Sequence, residues 1–189
     1  MDQFEFVFSL VSLLLGLTLT EIAGGLASAL KARKRISIGW ITPLATLLIC
    51  LDIVTMWPSL WHMRDTLDVR TLPLILASLM CLGYYVAASF VFPDTFEDGI
   101  SLDDWYFENR WFSIGGTLLL AFVFQLIQRG IEHQPAYAGV GDFFGRNWGW
   151  GLYIAQYMLA LLTRRRWLII ADFCGVLLMY VVYYWLNLT

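Results

Sequence analysis

The sequence predicts an all-α integral membrane protein with six transmembrane helices. Three observations predict it: a shortage of charged residues, six long apolar runs, and a bias of Lys and Arg toward alternate connections. Of the 189 residues, 59% are hydrophobic and only 14% are charged. A soluble domain carries about 25% charged residues, which its surface needs. The mean hydropathy of +0.67 points the same way. This composition argues against a water-soluble enzyme and against a disordered chain. The formal charge is −3. No basic stripe marks a nucleic-acid-binding face, so nucleic acid is not an expected partner.

A helix needs about 20 apolar residues to cross the hydrocarbon core. The runs lie near 6–30, 38–60, 71–92, 111–128, 148–163 and 167–187. Their short connections leave no room for a soluble domain, so residues 1–189 read as one membrane domain. The first run is preceded by acidic rather than basic residues, Asp2 and Glu5, and exceeds the 7–15 residues of a signal-peptide core. It is expected to stay as a helix. Ser12, Gly16, Thr20, Gly24 and Ser28 recur in it at four-residue spacing. Small residues at that spacing let two helix backbones approach closely. The ladder predicts that this helix is central in the bundle, or that it meets another membrane subunit or a second copy. The alternative is a small-residue face lining a lipid or ligand groove.

Pro93 closes the third run. The connection that follows holds Asp94, Glu97, Asp98, Asp103, Asp104 and Glu108 against a single Arg110. Ser101 and Asp104 have the spacing of a capping box, with Asp in place of Glu. Asp103 and Asp104 would sit where the helix dipole favours anions. A surface helix near 101–110 is expected, bending or continuing into the fourth run. The plain reading is a solvated helix start; the functional one is a cation-attracting vestibule or a docking patch. The next connection, 134–147, contains Gly139, Gly141 and Gly145 but lacks the strand and Lys-Ser/Thr of a phosphate loop. It is expected to be a flexible or re-entrant outer loop.

Orientation follows from basic residues, which concentrate in cytoplasmic loops. Lys31, Arg33, Lys34, Arg35, Arg110, Arg164, Arg165 and Arg166 fall in odd connections, and only Arg64, Arg70, Arg129 and Arg146 in even ones. The odd connections are expected in the cytoplasm and both termini outside, in a membrane of bacterial inner-membrane type. The two basic clusters agree because four runs separate them. Trp57, Trp61, Trp148, Trp150 and Trp185 then fall near the outer interface, and Trp40 and Trp167 near the inner one. They read as an interfacial belt.

Three carboxylates interrupt the runs: Glu21, Asp52 and Asp172. Each costs about 2.5–3.5 kcal/mol at mid-membrane on insertion scales and marks a functional hypothesis. Counting about 1.5 Å per residue from the basic clusters places Asp172 about 9 Å, Glu21 about 15 Å and Asp52 about 25 Å deep. Asp52 shares a helical side with Thr42, Ala45, Thr55 and Ser59; Asp172 with Gly175, Met179 and Tyr183; Glu21 with Thr18, Gly24, Gly25 and Ser28. If these helices adjoin, the acids form a staircase of proton- or cation-binding groups across the bilayer. The alternative is that they are hydrogen-bonding glue.

His62 and His133 fall at outer helix ends as titratable groups. Asp65, Asp68 and Glu132 are near in sequence, but no His-x-x-x-His or Glu-x-x-His spacing supports a metal. Cys50, Cys81 and Cys174 are odd in number and widely spaced, against a disulfide framework or zinc site. Lysine occurs only at 31 and 34, which excludes a Schiff-base lysine within a span. No catalytic or cofactor motif is readable. The leading expectation is transport or exchange of a proton, cation or small solute through Glu21, Asp52 and Asp172. The alternative is a non-catalytic subunit or assembly factor of a larger complex, and a membrane enzyme ranks third.

The topology is testable by single-cysteine labelling in intact cells, on a background lacking the three native cysteines. Position 133 should label from outside, and positions 34, 103 and 165 only after permeabilisation. Labelling of position 34 from outside overturns the orientation.

Overall fold

The computed structural model describes residues 3–65, 71–131, 139–146 and 148–188. The described residues are all-helical, with no strand beyond one isolated bridge. The helices are α1 (Gln3–Ala32), α2 (Ile41–His62), α3 (Thr71–Ser89), α4 (Leu102–Ile131), α5 (Val140–Arg146), α6 (Trp148–Leu162) and α7 (Arg166–Leu188). Three are long and apolar enough to cross a membrane: Phe4–Ala32, Ile41–His62 and Leu102–Ile131. The expected third and fifth spans correspond to shorter apolar helices of 19 and 15 residues.

One open alternative is decided and one expectation changes. The surface helix and the fourth run are one 30-residue helix, α4. Nothing between Ser101 and Arg110 breaks a helix, and Ser101 heads it as expected, its hydroxyl accepting from the Asp104 amide at 3.4 Å. At about 1.5 Å per residue α4 is about 45 Å long, so it exceeds an apolar core of about 30 Å by roughly three turns. The expected glycine loop also contains a helix, α5. His133, Glu132, Asp68 and Arg70 lie outside the described residues.

α2 and α4 form the centre of the bundle. α2 touches α1, α4 and α7, and α4 touches α2, α3 and α6. α1 is peripheral rather than central, packed against α3 and α2. It buries Val7, Val11, Leu15, Thr18, Ile22 and Ala29 along one side. The small-residue ladder lies beside that stripe. A Cβ at Gly16 or Gly24 would meet open space, whereas one at Gly25 would strike the Phe92 ring at 2.4 Å. The close contact therefore uses Gly25, outside the ladder, against Phe92 in the connection after α3. Ser12 contributes differently, accepting a hydrogen bond from the Trp57 indole at 2.9 Å.

The odd connections meet at one end. Ser37 donates to the Ile100 carbonyl and accepts from the Leu102 amide, both at 2.9 Å, and Gly99 donates to Arg35 at 2.8 Å. Asp103, only 6% exposed, extends Oδ1 across the gap to cap a different helix. It accepts from the Ile41 amide at 3.1 Å and the Thr42 amide at 3.3 Å, at the start of α2. Thr42 returns a hydroxyl bond to the Leu102 carbonyl at 2.7 Å. Gly39 makes room: its φ is +66°, and a Cβ there would lie 2.2 Å from the Asp103 carboxylate. Asp98 pairs with Arg35 at 3.2 Å, and Asp104 with Arg166. Two carboxylates of the connection read as a solvated helix start, or alternatively as a vestibule, thus face the two basic clusters while staying exposed.

Removing the Asp103 carboxylate strands two amides in a buried setting, so Asp103→Ala should cost about 1–3 kcal/mol. Gly39→Ala should cost a similar amount, because it adds a positive-φ penalty to the clash. Asp103→Asn keeps an acceptor and should recover most of the stability. Thermal melting in detergent reads all three, and an Asp103→Ala variant as stable as the parent overturns the clasp.

Candidate functional site

Asp52 lies midway along α2, on the stripe of Thr42, Ala45, Thr55 and Ser59 that the sequence placed on one side. It faces the bundle and is 8% exposed. The expected depth was too great. Residues 33–40 are not helical, so the rise starts at Ile41 and Asp52 is about 17 Å along α2. Two tyrosine hydroxyls reach it from other helices. Tyr84 of α3 donates to Oδ2 at 3.1 Å, and Tyr153 of α6 donates to Oδ1 at 2.9 Å. One carboxylate therefore ties three helices together. A bare carboxylate at this depth is costly, and hydrogen bonds to both oxygens offset part of that cost.

Beyond Asp52 a cavity of about 440 Å³ opens toward the end of the bundle away from the clasp. Thr55, Ser59 and Met56 of α2, Phe124, Gln125 and Gln128 of α4, Gly149, Trp150 and Tyr153 of α6, and Met179 and Tyr180 of α7 contribute to its wall. Trp150 meets the Tyr153 ring edge-on at 5.2 Å between centroids, and Tyr153 lies against Tyr157 at 4.5 Å. Thr55 and Ser59 donate their hydroxyls back to helix carbonyls, Asp52 O at 2.8 Å and Thr55 O at 3.1 Å. They offer the cavity lone pairs.

The other two acids are elsewhere. Glu21 is exposed in a separate groove of about 380 Å³ between α1 and α3, where it accepts the Tyr85 hydroxyl at 3.0 Å. Thr20, Gly24 and Ser28 of the ladder line that groove, with Asp94 near its end. Asp172 borders neither cavity, and its Oδ2 is buried without a hydrogen-bond partner among the described residues. Gly175 beside it faces open space. The expected staircase is therefore not built: Asp52 points into the bundle and Glu21 away from it.

The remaining candidates are placed as follows. His62 is exposed and its Nδ1 lies 2.7 Å from the Pro58 carbonyl. Glu97 and Glu108 are exposed on the clasp side. Cys50, Cys81 and Cys174 are free thiols. Among the described residues no three His, Cys, Asp or Glu side chains gather as a metal set.

Sequence reasoning missed Tyr84, Tyr153, Gln125 and Arg110. Trp150, Tyr153 and Tyr157 recur at three- and four-residue spacing, which was a legible stripe, but Trp150 was read as belt. Arg110 was counted as a loop cation. It is 7% exposed inside α4 and donates to the carbonyls of Ala160 in the last turn of α6 at 3.4 Å and of Thr163 just after it at 2.5 Å. A cation at a helix C-terminus is favoured by the dipole, which lets the charge stay inside the bundle. No family model, curated protein or solved structure matches the chain.

The Tyr84–Asp52 bond should register in a double-mutant cycle of Tyr84→Phe and Asp52→Ala, each of which removes it. Such bonds in membrane proteins are worth about 0.6 kcal/mol on average and up to about 1.7, so melting should show a coupling in that range. Tyr85→Phe, on the outer groove, should show no coupling with Asp52→Ala. Equal coupling for both tyrosines overturns the assignment.

Proposed function

We propose that the protein is a six-span membrane protein that takes up or exchanges a small solute, cation or proton through the Asp52 cavity. The carrying observation is a nearly buried carboxylate at the floor of a roomy, partly open cavity. Ligand sites have this character: mostly apolar walls, a few placed polar groups, and volumes of about 300–1,000 Å³. An ionisable residue inside a membrane bundle is a functional-site hypothesis by default. Asp52, rather than Glu21 or Asp172, is the group we assign to the solute.

In this reading α1, α2, α3, α4, α6 and α7 are the spans. α6 is about 22 Å long, and local bilayer thinning accommodates such a short span. The clasp faces the cytoplasm, in a bacterial-type inner membrane, and the Asp52 cavity opens to the other side. A second reading has its own support. The α1 ladder leaves Gly16 and Gly24 uncovered beside Glu21, which suits a helix of another membrane subunit or of a second copy.

Proteoliposomes loaded with a pH-sensitive dye and exposed to ion and solute gradients test the first reading. Flux above empty liposomes is expected from the parent and from Glu21→Gln. Asp52→Asn should fold, because an amide still meets both tyrosines, yet lose flux. Parent flux no greater than empty liposomes across the panel overturns transport and leaves the subunit reading.

A further inference from the structure

The cavity around Asp52 is selective in its chemistry, and the residues that line it say for what. Among the described residues its wall holds one carboxylate and no Lys, Arg or His. An anion entering it would meet a carboxylate and find no cation. A hard inorganic cation fares little better. Calcium takes six to eight oxygen ligands at about 2.3–2.6 Å, and magnesium needs near-octahedral oxygen. Here each Asp52 oxygen already accepts a tyrosine hydroxyl, and among the described residues no second carboxylate lines the wall.

What the wall does offer is ring surface. Tyr84, Phe124, Trp150, Tyr153 and Tyr180 bring five aromatic side chains to one cavity. The negative faces of such rings attract cations of low charge density, tryptophan most strongly, and recognition of methylated ammonium groups uses such rings. A diffuse cation needs no full oxygen shell. It needs one counter-charge, apolar contact and room.

We infer that this cavity binds a small organic ammonium ion, with Asp52 as counter-charge and Trp150 and its neighbouring tyrosines as the aromatic wall. The inference rests on the reading of the Asp52 cavity as a solute site and names its substrate class. The ammonium group sits over the rings, within reach of the free lone pairs of the carboxylate. Gln125 on α4 is placed to meet a polar substituent on the same molecule.

Isothermal titration calorimetry on the detergent-solubilised full chain, corrected for empty micelles, tests it with four probes. These are choline, its uncharged carbon isostere 3,3-dimethylbutan-1-ol, sodium chloride and magnesium chloride. Choline should bind, and the isostere should bind at least about tenfold more weakly, since one buried charge pair exceeds the 1.4 kcal/mol that a factor of ten represents. Asp52→Asn and Trp150→Leu should each weaken choline by a similar factor while melting near the parent, and Glu21→Gln should leave it unchanged. Choline and isostere binding alike overturns ammonium recognition while leaving a solute site. Choline binding unaffected by Asp52→Asn places the site elsewhere and overturns the inference. No choline heat, or heat from an inorganic cation alone, also overturns it. The liposome flux of the parent then decides separately whether the transport reading survives.

Discussion

The Asp103 carboxylate on the first amides of α2 is the contact on which the rest of the bundle depends. It joins the connection before α2 to the start of α4, so the two central helices begin at one end and at a common level. Their electrostatics agree. Helix N-termini carry partial positive charge and C-termini partial negative charge. At this end Asp103 meets the start of α2 and Asp104 lies in the first turn of α4. Arg33 donates to the Leu30 carbonyl at the end of α1, and Arg110 to the carbonyls at the end of α6. Asp103 and Asp104 sit at helix starts and Arg33 and Arg110 at helix ends, while Arg166, a base at the start of α7, is paired with Asp104; this pair and Asp98–Arg35 link segments that are far apart in sequence.

That arrangement positions the cavity. α2 and α4 run the same way from this end, and Asp52 and Gln125 both line the cavity, which extends along the bundle away from it. α6 runs the other way, as Arg110 at its C-terminal carbonyls requires, and this brings its first turns, with Trp150 and Tyr153, to the same depth. The polar interior is thus assembled from side chains whose partners are on other helices. In a low-dielectric setting each such match matters, because the alternative is an unsatisfied polar group.

The three carboxylates that interrupt the apolar runs, equivalent by residue type, have different surroundings. Asp52 is enclosed and doubly hydrogen-bonded. Glu21 is at the surface with one tyrosine. Asp172 leaves an oxygen buried and unpaired. The α1 ladder repeats the lesson. Its spacing permits a close helix contact, yet Gly16 and Gly24 remain open, and the contact made within the chain passes through Gly25 and Phe92.

Local pattern sufficed for much of the fold. Apolar run length marked the helices, Ser101 marked the start of α4, and the side of α2 that carries Asp52 followed from the 3.6-residue repeat. Other readings failed where two segments had to meet. Arg110 looked like a loop cation because its acceptors, the carbonyls of Ala160 and Thr163, are some fifty residues away. Asp103 looked like a solvated first-turn acid because the amides it accepts from, Ile41 and Thr42, are some sixty residues away. Trp150 looked interfacial because a belt tryptophan and a cavity tryptophan have the same neighbours in sequence. Periodicity states which residues share a face of one helix; which faces meet is decided by packing and charge pairing between helices, and only the tertiary structure showed that Asp52 faces Tyr84 and Tyr153 while Glu21 does not join them.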